Sequence, residues 1–107
     1  RDYIHVVDLA QGHVNALNKL SDIKGCVPIN LGTGNGTSVL EIINTFKAIS
    51  GQDIPYKMAP RRAGDIATVY ADAHVANKLL DWYAKRDLAT MLTDTWRWQS
   101  NNPNGFD

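Results

Sequence analysis

Cys26-Val27-Pro28-Ile29-Asn30-Leu31-Gly32-Thr33-Gly34-Asn35-Gly36-Thr37-Ser38-Val39-Leu40-Glu41 begins as an apolar run, crosses three glycines and enters a helical pattern. Cys26 to Leu31 reads as a brief strand. Ser38 and Glu41 have the spacing of a capping box, in which each side chain answers the other's backbone N–H. Behind them Val39, Ile42, Ile43, Phe46 and Ile49 recur at helical spacing, and Gly51 follows as a stop signal. Strand, turn and helix in that order are the elements of an α/β unit. Working outward, Asp2 to Val7 reads as extended. Asp8 is placed to cap a helix, with Gln11 completing a capping box and Leu9, Ala10, Val14 and Leu17 forming its apolar face. On the other side Ile54 to Met58 reads as a strand and Thr68 to Ala71 as extended. Asp72 then caps a helix carrying Val75, Ala76, Leu79 and Leu80, and Asp87 caps a last one through Leu88, Leu92 and Trp96. Short strands alternating with about four helices predict an α/β fold with parallel strands.

The chain has 107 residues, 44% of them hydrophobic, with 11 basic and 11 acidic side chains. A single domain is the limit at this length, and such a chain can bury roughly two-thirds of its unfolded surface. Zero net charge leaves no basic stripe for a nucleic-acid backbone. Cys26 is the only cysteine, which excludes an intrachain disulfide or a CxxC site and fits a reducing, cytoplasmic setting. No apolar run approaches the ~20 residues of a membrane span, and the start of the chain is no signal peptide.

The glycine run resembles the setting of a dinucleotide-binding loop but fails in detail. Thr37 stands where the third glycine of G-x-G-x-x-G belongs, and Asp53 precedes the next strand rather than ending it. Close packing of a helix on a strand explains these glycines without a ligand. Tyr3, Tyr56, Tyr70 and Tyr83 all lack a Lys four residues later, so no hydride-transfer Tyr-x-x-x-Lys motif occurs. His5, His13 and His74 lack metal-ligand spacing and read as surface or cap residues. Trp96 and Trp98 cannot both enter one core from a helix, which puts Trp98 at an edge. The segment Ala59-Pro60-Arg61-Arg62-Ala63-Gly64-Asp65 is different. It sets two guanidinium groups beside a turn glycine and a carboxylate, the residue types that bind phosphate oxygens in pairs. A solvated basic loop is the alternative reading of the same residues. With no net positive charge, a phosphate grip here points to a small phosphorylated ligand.

Arg1-Asp2-Tyr3-Ile4-His5-Val6-Val7-Asp8-Leu9-Ala10-x-Gly12-His13, Asn30-Leu31-Gly32-x-Gly34, the Ala59 to Asp65 segment, Ala71-Asp72 and Asp94-Thr95-Trp96-Arg97-Trp98-Gln99 occur in that order. Together they resemble the C-terminal part of the UDP-glucose 4-epimerase family, within the extended short-chain dehydrogenase/reductases. The resemblance covers essentially the whole chain. It implies a C-terminal UDP-sugar-binding subdomain, residues 1–107, of a cytoplasmic, homodimeric enzyme of galactose metabolism. That enzyme interconverts UDP-glucose and UDP-galactose by NAD-dependent oxidation and reduction at C4 of the hexose. NAD and the catalytic Tyr-x-x-x-Lys would belong to an N-terminal Rossmann half that is not part of this sequence, so the resemblance assigns this chain no catalytic, cofactor-binding or metal-binding residue.

By the same resemblance Arg62 and Arg1 bind the UDP diphosphate, Asp65 contacts the uridine ribose, and Arg61 has no role in binding. Val69 falls where the family carries either a bulky Tyr or a small residue beside the sugar, the smaller being associated with N-acetylhexosamines; it reads equally as a β-branched core residue. Two other readings stay open. One is a part of another nucleotide-sugar dehydratase or decarboxylase, and the other is a non-enzymatic nucleotide-sugar-binding module.

Overall fold

A computed structural model of the chain describes residues 1–106. It contains four helices: α1 Val6–Asn18, α2 Val39–Ser50, α3 His74–Leu80 and α4 Leu88–Asn101. Helix α2 forms as its sequence predicts. Ser38 Oγ accepts from Glu41 N–H at 3.2 Å, Glu41 Oε2 accepts from Ser38 N–H at 2.7 Å, and Gly51 closes the helix in the left-handed region at φ 67°. Helix α4 starts at Asp87, whose carboxylate accepts from both the N–H and the hydroxyl of Thr90. Helix α3 starts one residue later than expected. Ala73 occupies the cap position, and Asp72 still accepts from His74 N–H at 2.9 Å.

Helix α1 corrects two expectations. It begins three residues earlier, because His5 rather than Asp8 is the cap: Nδ1 of His5 accepts from Val7 N–H at 3.0 Å. Asp8 lies within the helix and is buried, and Gln11 bonds Asn15 at 2.8 Å instead of closing a capping box. The face it buries is that of Asp8 and Gly12, whereas Leu9, Val14 and Leu17 point outward and are exposed.

The expected strands are also corrected. Among the described residues there is no strand: Cys26 to Leu31, Ile54 to Met58 and Thr68 to Ala71 have no ladder partner. Extended backbone becomes a strand only when a neighbour takes up its N–H and C=O groups. Here one reciprocal backbone pair joins distant segments, Thr37 N–H to Arg1 C=O at 2.8 Å and the Arg1 amine to Thr37 C=O at 2.9 Å. Side chains make the other ties.

Helix α2 packs on α4 and α1 on α3. In the first pair the edge of one ring of Phe46 and Trp96 meets the face of the other, centroids 5.7 Å apart. Between α1 and α3 the buried apolar core is Ala76, Leu80 and Trp82, with Ile4, Ala16 and Leu31 among the half-buried side chains around it. This is a small core. The radius of gyration is 16.8 Å, against about 13 Å for a compact chain of this length. The accessible surface is 8134 Å², against roughly 5,900 Å² for a compact monomer of this mass. The chain therefore buries about half of its unfolded surface, not the two-thirds its length predicts. The difference is visibly apolar: Val6, Leu17, Val39 and Met58 are all exposed. No helix among the described residues is long and apolar enough to cross a membrane.

Exposed apolar surface on this scale drives association. The 107-residue chain on its own should self-associate and bind an apolar-surface dye, as read by light scattering and fluorescence over a concentration series. A dye-silent monomer at every concentration would contradict this packing.

Candidate functional site

The arginine turn is built as its residues suggest. Asp65 N–H donates to Arg62 C=O at 3.3 Å, closing a four-residue turn, and Gly64 takes φ +83°, which glycine adopts at little cost. Across the turn the Arg62 fork reaches Asp65, with Nε to Oδ2 at 3.0 Å and Nη2 to Oδ1 at 3.4 Å. The Arg62 side chain is 85% exposed. Arg61 is exposed as well and makes no ion pair among the described residues.

Arg1 reaches the end of this loop: its Nη1 donates to Ile66 C=O at 2.7 Å. A groove of about 420 Å³ opens beside it, lined by Arg1, Asp2, Asn30, Val69, Tyr70 and Asp72 among others. The structure thus brings Arg1 and Val69 into one groove and places Arg62 and Asp65 on the loop that Arg1 clasps. Val69 is 46% exposed, so it is not a core residue of this chain. A larger cavity of about 720 Å³ lies between the start of α1, α2 and α4. Its walls are mostly apolar and carry no lysine or arginine, whereas the smaller groove carries Arg1 beside Asp2 and Asp72.

Asp2 was not singled out by the sequence, yet it organises this region. One carboxylate oxygen accepts from Thr33 N–H at 3.0 Å and Thr33 Oγ1 at 2.6 Å; the other accepts from Gly34 N–H at 3.0 Å and Ala71 N–H at 3.1 Å. Burial works to raise the pKa of this carboxyl. The bonds from Thr33, Ala71 and Gly34 outweigh it and hold the group below its ordinary 3.8. A Cβ on Gly32 would lie 2.5 Å from Ala71 Cβ and 2.6 Å from Asp2 Oδ2, so that glycine is required for close approach. The glycine loop does not fit a dinucleotide pyrophosphate, because the N–H groups of Thr33 and Gly34 already face Asp2.

Asp8 plays the corresponding part in the core. Its carboxylate accepts from the N–H groups of Lys85 and Arg86, both at 2.9 Å, and pairs with the Arg86 guanidinium; its backbone C=O accepts from Trp82 Nε1 at 2.8 Å. Burial again opposes ionisation, and the Arg86 and Lys85 bonds override it to leave the carboxyl below 3.8. His5, the α1 cap, is buried and uses its other nitrogen, Nε2, to reach Asp94 at 3.1 Å. With Nδ1 accepting from Val7, that nitrogen is the donor. The cap role expected for a histidine holds here; a surface position does not. Trp98 is exposed at an edge beside Phe106, as the helical spacing predicts. No group of three metal-ligating side chains occurs among the described residues.

No protein-family model matches the chain. Among curated proteins, the UDP-glucose 4-epimerase of Bacillus subtilis (strain 168) is 56% identical over 106 residues, 99% of this chain and 31% of the relative. That of Neisseria meningitidis serogroup C is 55% identical over 107 residues, all of this chain and 32% of the relative. Among solved structures, UDP-glucose 4-epimerase from Bifidobacterium longum, in complex with NAD+ and UDP, superposes with a TM-score of 0.89 at 50% identity, covering 99% of this chain and 31% of that one. In sequence and in fold, this chain is similar to about a third of each of these UDP-glucose 4-epimerases. The chain accordingly spans about a third of the length of the curated relatives it matches.

The carboxyls of the half-buried Asp2 and the buried Asp8 both ionise more readily in the fold than in an unfolded chain. Their contribution is complete above about 3.8, the ordinary carboxyl value, and is lost as pH falls through their lower folded values. Urea midpoints should therefore drop steeply below that pH. Asp8→Ala should lower stability at neutral pH by about 2–4 kcal/mol, since two N–H groups and a half-exposed guanidinium lose their acceptor. A midpoint indifferent to acid, or unmoved by Asp8→Ala, would contradict the assignment.

Proposed function

We propose that this chain is the C-terminal, substrate-binding part of an NAD-dependent enzyme that interconverts UDP-glucose and UDP-galactose. The observation that carries this reading is the pair of exposed guanidiniums at one loop: Arg62 on the turn, and Arg1 clasping its end at Ile66. On this reading both grip the diphosphate of UDP. Neither is committed elsewhere by a strong bond. Arg1 faces a neutral carbonyl, and the Arg62–Asp65 pair is exposed, a kind of contact worth at most about 1 kcal/mol. A hydrogen bond between a guanidinium and a diphosphate oxygen is worth about 1.5–3 kcal/mol. Exchange of Asp65 for the ligand is therefore downhill, and it frees the Asp65 carboxylate for a ribose hydroxyl.

The likeness to epimerases, one of them solved with NAD+ and UDP, supports the same substrate class. NAD would be held by a Rossmann half supplied by the rest of such an enzyme, since the glycine loop here does not fit it. Val69, small and exposed in the Arg1 groove, would leave room for an N-acetylhexosamine beside the usual hexose. The single, unpaired Cys26 suits a cytoplasmic enzyme, and the reading includes a homodimer.

In a full-length epimerase carrying this chain, Arg62→Ala should weaken UDP binding by about ten-fold to a hundred-fold. Arg61→Ala should do far less, uridine should lose less than UDP, and NAD binding should survive both changes. Calorimetry on the two variants with both ligands tests this; equal losses at Arg61 and Arg62, or equal losses for UDP and uridine, would refute the diphosphate grip. The 107-residue chain alone, given UDP-galactose and NAD, should show no turnover, because it has no Tyr-x-x-x-Lys. Activity that follows the chain through purification would count against its being the substrate side only.

A further inference from the structure

We propose that Asp2 is a positioning residue of the diphosphate site, holding Arg1 and the Val69 segment in register with the glycine loop; this rests on the reading given under Proposed function. Arg1 is the residue before Asp2, so whatever fixes Asp2 fixes the base of the Arg1 side chain. Four bonds do so, from Thr33 N–H, Thr33 Oγ1, Gly34 N–H and Ala71 N–H. The reciprocal Arg1–Thr37 backbone pair adds a second anchor on the same loop. Ala71 lies two residues beyond Val69, so one carboxylate sets both walls of the groove. Gly32 leaves no slack, because Asp2 and Ala71 occupy the space a side chain would need.

The charges suit the role. Every donor to Asp2 is a neutral N–H or O–H, so its negative charge is dispersed without drawing the Arg1 guanidinium away. Arg1 instead extends to Ile66 C=O, with its charge available to an anion. This differs from Asp8, which takes the Arg86 guanidinium for itself. The two carboxylates thus act differently: the buried Asp8 holds the core, and the half-buried Asp2 aims a cation.

Asp2→Asn tests the distinction in a full-length epimerase carrying this chain, with Asp8→Asn and Arg62→Ala measured beside it. The amide that replaces the carboxylate would have to turn an NH₂ toward either the Thr33 donors or those of Gly34 and Ala71, breaking the register. UDP affinity should fall about tenfold and uridine affinity should stay within about twofold, because the diphosphate is what Arg1 meets. Asp8→Asn should lower the melting temperature while leaving both affinities intact. If Asp2→Asn does not fold, Thr33→Val removes the 2.6 Å hydroxyl bond to Asp2 and should weaken UDP, not uridine, in the same direction. Unchanged UDP affinity in Asp2→Asn, or in Thr33→Val where the first change is not tolerated, overturns the inference, as does equal loss of UDP and uridine. Arg62→Ala separates the two failures: if it weakens UDP while Asp2→Asn does not, the grip stands and only the positioning role falls. If neither variant weakens UDP, the grip itself is wrong.

Discussion

The carboxylate of Asp2 joins three extended segments that no β-ladder connects. The N-terminal residues, the loop from Gly32 to Thr37 and the segment leading to Ala71 meet at its two oxygens. Extended chains without a sheet have unanswered N–H groups, and a single ionised acceptor satisfies three of them at once. The positions of Arg1, Val69 and the loop carrying Arg62 follow from that junction. Because the donors are neutral, they stabilise the carboxylate without engaging the Arg1 guanidinium, which bonds Ile66 C=O instead.

The distribution of the arginines gives this arrangement its meaning. Arg86 is held by the buried Asp8, whereas Arg97 makes only an exposed pair with Asp94 one turn earlier on α4. Arg62 is paired, but on an exposed turn where the pair is weak and replaceable. Arg1 bonds a carbonyl. The large exposed apolar surface has a different origin: helix α1 buries a polar and a small residue against this chain and turns Leu9, Val14 and Leu17 the other way.

Signals that lie within one turn of chain were legible in the sequence. The Ser38–Glu41 box, the Asp87 cap, the Gly51 stop and the Gly64 turn depend only on near neighbours, and each forms as expected. Asp72 was one position from the true cap for the same reason, since local spacing leaves a residue of latitude. Asp8 misled because an aspartate before an apolar run looks identical whether it caps a helix or binds a loop 77 residues away, and only tertiary contact separates the two. Strand-like composition at Cys26 to Leu31 and Ile54 to Met58 was real, but pairing needs a partner, which the described residues do not supply. The arginine turn was legible through its residue types; Asp2 was not, because its donors come from residues 31 to 69 positions distant.

A crystal structure of a full-length epimerase carrying this chain, with UDP bound, bears most directly on the claim that two separately anchored arginines grip a diphosphate. The account predicts both the Arg1 and Arg62 guanidiniums within hydrogen-bond distance of diphosphate oxygens, Asp65 turned from Arg62 to the ribose, and the four bonds to Asp2 unchanged. A diphosphate held by other residues, with Arg62 still forked on Asp65, would contradict it.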